Sequence, residues 1–130
     1  MPITLGAEFI ERMRTLLYDI WEADEYDYAY DSEFYGPNRE ELIGALSQNV
    51  SIATAFLDSL DFDNEVDQHI ITCIPDIASR LGRFGAQFLF IEHVKDLQQR
   101  FPAVHFATAI HWAQFHCGFL DGTGKPRSAK

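Results

Sequence analysis

The sequence predicts an all-α fold, a single-domain, bundle-like packing of about five helices. Three observations predict it. Apolar residues recur at i, i+3 and i+4 through most of the 130 residues, the spacing of a buried helical face. Gly36-Pro37, Pro75, Gly82 and Pro102 divide the chain into helix-sized pieces. Hairpin turn signals are scarce, so the runs HIITCI and FLFIEHV, strand-like by composition, read as helix.

The first helix is expected over about residues 5–23, with Thr4 as N-cap. Phe9, Met13, Leu16, Leu17, Ile20 and Trp21 form its apolar stripe. Glu8, Glu11, Arg12 and Asp19 fall off that stripe into solvent, with Glu8 and Arg12 as an i,i+4 pair. The second helix is expected to start at Asn38, where Asn38 and Glu41 have capping-box spacing, and to bury Leu42, Leu46, Val50, Ala53, Leu57 and Leu60.

Asp61-Phe62-Asp63-Asn64 is a turn that supplies N-caps to a third helix over about residues 65–81, interrupted by Pro75. Gly82 and Gly85 mark the next break. A fourth helix over about residues 84–100 is apolar over much of its surface, which predicts a central position. Pro102 ends it and opens a fifth over about residues 103–120, with Ala103, Ala107, Ala109 and Ala113 as a small side. Residues 1–120 form the expected domain, and 121–130 a disordered basic tail.

The charge is unevenly placed. Residues 1–67 hold sixteen acids and three bases, a net of −13, and residues 68–130 four acids and seven bases, a net of +3, summing to the chain's −10. So acidic a surface repels nucleic-acid phosphates and anionic lipid and attracts basic proteins. No apolar run approaches the roughly twenty residues of a membrane span, and no signal-peptide pattern opens the chain. Cys73 and Cys117 make one possible pair, too few for a disulfide framework, and read as buried free thiols. A soluble, cytoplasmic protein is expected.

No motif for chemistry holds. Asp61, Asp63, Glu65 and Asp67 alternate like the start of a calcium loop, but Val66 and Thr72 occupy the positions that need Gly and Glu. Helix-capping and solvation explain these acids better. His105, His111 and His116 are spaced wrongly to share an ion, and Glu65 with His69 supplies only two ligands. There is no phosphate cradle and no nucleophile elbow. The expectation is no metal, no cofactor and no catalytic residue.

The most unusual stretch is residues 21–35, WEADEYDYAYDSEFY, with six acids, six aromatics and no base. Carboxylates steer a basic partner and aromatic rings anchor it. The expected partner-binding residues are Glu22, Asp24, Glu25, Tyr26, Asp27, Tyr28, Tyr30, Asp31, Glu33 and Tyr35. The stretch is the centre of a wider acidic face with Glu40, Glu41, Asp58, Asp61, Asp63, Glu65 and Asp67. In strategy this is similar to bacterial immunity proteins, which block a toxin or nuclease with carboxylates and tyrosines, and to phage DNA-mimic inhibitors. No family motif is matched, so no residue role is carried over. The expectation is an inhibitor of a basic protein. The alternatives are a structural or adaptor subunit, or a homo-oligomer, using apolar helix faces, and less favoured a DNA mimic or a small enzyme.

Overall fold

The computed structural model describes residues 4–26 and 35–120. They form α1 (Ala7–Glu25), α2 (Tyr35–Leu46), α3 (Val50–Ser59), the short α4 (Glu65–Gln68), a 3-10 segment (His69–Cys73), α5 (Ile74–Arg80), α6 (Phe84–Arg100) and α7 (Ala107–His116). The fold is all-α and bundle-like, with the helices packed against one another. One cluster of buried side chains draws on nearly every element, from Met13, Leu17 and Ile20 of α1 through Phe56, Phe90 and Phe106 to Ala113. No helix among the described residues is long and apolar enough to cross a membrane.

The helix boundaries follow from local chemistry, and several depart from expectation. α1 starts at Ala7 with Gly6 as its N-cap, so Thr4 caps nothing. Its buried residues are Met13, Leu16, Leu17, Ile20 and Ala23. The expected second helix is two. The chain leaves α2 after Leu46 and re-enters helix at α3, where the Asn49 side chain accepts from the Ile52 N–H at 2.9 Å. Asn38 lies inside α2, so the expected capping box is absent. Its second member, Glu41, is engaged elsewhere: Arg12 grips both its oxygens at 2.9 and 2.8 Å. This cross-helix fork replaces the expected Glu8–Arg12 pair, because two parallel N–H···O bonds outcompete a single exposed contact.

Asn64 caps α4, accepting from the N–H groups of Val66 and Asp67, as the turn reading expects. Pro75 stands in the first turn of α5, where its missing N–H costs nothing. Gly82 has φ +73° and ends that helix in the left-handed region open to glycine.

α6 has the expected extent but not the expected central place. Gln87, Phe90, Ile91, Val94 and Leu97 face inward, while Phe84, Phe88 and Leu89 are 63%, 50% and 58% exposed. Composition shows that a helix is apolar, not whether neighbours cover all of it. α7 is also shorter than expected. Pro102 ends α6 without opening the next helix, and residues 101–106 form an irregular link that buries Val104 and Phe106. Ala109 and Ala113 are buried, whereas Ala103 and Ala107 are exposed. The expected tail, 121–130, lies outside the described residues.

This packing gives the molecule two sides. α1 packs on α2, α4 and the 3-10 segment, whereas α6 and α7 pack on each other and on α5, with α3 also against α6.

Candidate interaction surface

An acidic surface is built on α1. Its buried residues centre on one face, so the opposite face carries Glu8, Glu11, Thr15, Asp19 and Glu22 at steps of three and four. At 1.5 Å per residue the row runs roughly 21 Å. Among the described residues Glu8, Glu11 and Asp19 are exposed and have no basic side chain within ion-pair distance. Glu25 continues the row at the end of the helix. A regular helix fixes the spacing of the backbone positions from which these carboxylates project.

Aromatic rings border it. Tyr18 and Trp21 have centroids 5.8 Å apart, and Trp21 and Tyr26 6.5 Å apart in an edge-on arrangement. Tyr18 is 46% and Tyr26 63% exposed. An open groove of about 520 Å³ lies against Ala7, Ile10, Glu11, Arg14, Thr15 and Tyr18. Charge, exposed rings and concavity therefore coincide on one helix.

The residues expected from the sequence divide into three groups. Glu22, Glu25 and Tyr26 belong to the end of this row. Asp27, Tyr28, Tyr30, Asp31 and Glu33 lie outside the described residues. Asp24 and Tyr35 are tied to the protein itself. One oxygen of Asp24 lies 2.7 Å from His69 Nε2 and accepts from the Tyr35 hydroxyl at 3.3 Å. Burial, then the hydrogen bond to the Asp24 carboxylate, push the Tyr35 phenol up from its ordinary value. A single carboxylate thus joins the end of α1, the start of α2 and the 3-10 segment. Nearby Arg39 donates to the Thr72 carbonyl at 3.0 Å and pairs with Asp76 at 2.8 Å. This cluster fastens the two ends of the acidic-aromatic stretch to the core.

Comparison with protein-family models, curated proteins and solved structures gave no match.

The wider acidic face is smaller than the sequence suggests. Glu40 pairs with Arg80, Glu41 with Arg12, and Asp58 with His93 and Arg100. Asp67 is not solvated: it is 1% exposed and bound to Arg14 and to the Asp61 N–H. Asp61, Asp63 and Glu65 remain exposed without a cation at ion-pair distance among the described residues. They sit at the start of α4, which packs on α1.

Sequence reasoning did not select Glu8, Glu11, Tyr18 and Asp19. The acid spacing of three and four along one helix was the signal that could have found them.

Among the described residues no three His, Cys, Asp or Glu side chains stand close enough to hold a metal ion. Cys73 and Cys117 are free thiols, one buried and one half-buried, and burial pushes both above their ordinary value. Neither has the depressed pKa of a nucleophile.

Proposed function

We propose that this chain is an acidic protein-binding inhibitor of the immunity-protein or antitoxin kind. In this reading it neutralises a basic toxin or nuclease by masking the cleft that attracts phosphates. The observation that carries it is the row Glu8, Glu11, Asp19, Glu22 and Glu25 beside the exposed rings of Tyr18 and Tyr26. A row of carboxylates projecting at helical spacing competes for a phosphate-binding cleft and accelerates encounter with it. Tyrosine supplies contact area at low entropic cost. The stretch over residues 27–34 continues this composition with three more acids and two more tyrosines.

The test is capture of the product of the adjacent gene by wild-type chain, by Glu11→Lys/Asp19→Lys and by Asp27→Lys/Asp31→Lys. Association measured by surface plasmon resonance should slow by about tenfold or more in each variant, and in the wild type as salt rises. Binding that ignores both charge reversals would exclude the acidic surface from the interface. A pairing that holds or tightens with salt would favour an adaptor subunit instead.

A further inference from the structure

We infer that a second copy of this chain docks on the outer face of α6, forming a two-fold dimer centred on Phe88 and Leu89. Three independent observations converge there. The first is the uncovered apolar surface. Phe84, Phe88 and Leu89 are 63%, 50% and 58% exposed within one and a half turns of helix. Phe119 stacks against Phe84 with centroids 4.3 Å apart and lies 6.2 Å from Phe88, extending the patch. At about 200 Å² for a large aromatic side chain, the three α6 residues alone leave on the order of 300 Å² of apolar area in water. That is the size of the largest patch on an ordinary monomer and suits the dry centre of an interface of about 800 Å² per partner.

The second observation is charge. An isologous interface must be complementary to itself, which a strongly acidic surface cannot be. α6 carries Glu92 and Asp96 against Lys95 and Arg100, so it is balanced, and α7 has no acid at all. At the rim of the patch Lys95 and Glu92 stand 3.1 Å apart. An antiparallel two-fold centred on Phe88 and Leu89 sets residue 92 of one copy opposite residue 85 of the other, so Glu92 comes toward Arg83 of the second copy. Arg83, at the end of the patch and without a carboxylate at ion-pair distance among the described residues, supplies the cation of that pair, once on each side of the axis.

The third is placement. Self-repulsion of a chain with formal charge −10 opposes any association that brings the acidic surfaces together. α1 packs chiefly on α2, α4 and the 3-10 segment, whereas α6 packs chiefly on α3, α5 and α7. Docking through α6 therefore keeps the two carboxylate rows outward and apart. The dimer does not depend on the proposed inhibitor role, and it would display two acidic surfaces.

Sedimentation equilibrium of the full chain between about 1 μM and about 1 mM, the range of a weak to moderate homodimer, tests this. The wild type should pass from monomer to dimer. Phe88→Asp/Leu89→Asp should remain monomeric with an unchanged helical circular dichroism spectrum. Glu92→Lys should weaken the dimer by about tenfold, since it sets like charges across the axis. Arg83→Glu/Glu92→Lys, which reverses both members of the pair across the axis, should recover it. A wild type monomeric throughout, or a Phe88→Asp/Leu89→Asp variant that dimerises as the wild type does, would overturn the proposal. Dimerisation unaffected by Glu92→Lys would overturn the axis.

Discussion

Arg14 Nη2 lies 3.1 and 2.9 Å from the two carboxylate oxygens of Asp67, fastening α1 to α4. Asp67 is 1% exposed, whereas the Arg14 side chain is 45% exposed. The acid is buried and the base keeps contact with water. Asp67 also accepts from the Asp61 N–H at 2.9 Å, so two partners compensate its desolvation. Removing it by Asp67→Ala orphans that N–H and is expected to lower stability by about 2–3 kcal/mol. Asp67→Asn keeps an acceptor and should cost less. Urea unfolding of the two variants gives the order, and equal losses would show that the Asp61 N–H contact contributes nothing.

The caps give a sharper contrast. Asn49 accepts from the Ile52 N–H at the start of α3, whereas Asn38 lies within α2. Asn49→Ala should therefore cost about 1 kcal/mol. Asn38→Ala should be neutral or slightly stabilising, because Ala has the higher helix propensity. Thermal unfolding of both checks the division of residues 35–60 into two helices.

Acid should release two surface pairs. The Arg12 hydrogen bonds, opposed by a little desolvation, hold the Glu41 carboxylate below its ordinary range, and Arg80 does the same for Glu40. A carboxylate depressed in the folded state adds stability above its unfolded value, about 4.3. That stability is lost as pH falls through the lower folded value. Melting temperatures of Glu40→Gln/Glu41→Gln should lie slightly below wild type near neutrality and converge with it below about pH 4. A gap that stays constant into acid would mean that the pairs have no electrostatic worth.

The thiols should report burial. Cys73 is fully buried and Cys117 half-buried, and burial raises both. Under native conditions iodoacetamide should label Cys117 slowly and Cys73 only after unfolding, since the thiolate is the reacting form. Peptide mass spectrometry resolves the two sites. Prompt native labelling of Cys73 would mean that the 3-10 segment opens readily.

Local signals were legible where a residue acts on its own backbone. Pro75, Gly82 and Asn64 end or begin helices where the sequence places them, because proline geometry, a positive φ and an Asn cap are decided within a few residues. Glu41 was misread for the complementary reason. Its spacing from Asn38 fits a cap, but Arg12, 29 residues earlier, offers two charge-assisted bonds. Spacing cannot weigh a local partner against a distant one. The same limit applied to Asp24, which looked like a free carboxylate and is held by His69, 45 residues away.

The sequence by itself determined the all-α class, the inward stripe of α1, the acidity of the first half and its density of tyrosines. Helical period and composition are properties of neighbours along the chain. Only the tertiary structure decided which acids are neutralised and which face outward. Glu40, Glu41, Asp58 and Asp67 are paired with cations from other elements, while Glu8, Glu11 and Asp19 stand opposite the buried face of α1. It also decided that α6 leaves Phe84, Phe88 and Leu89 uncovered. Burial and ion pairing depend on what packs across the core, and contacts between residues far apart in the chain leave no trace in local spacing.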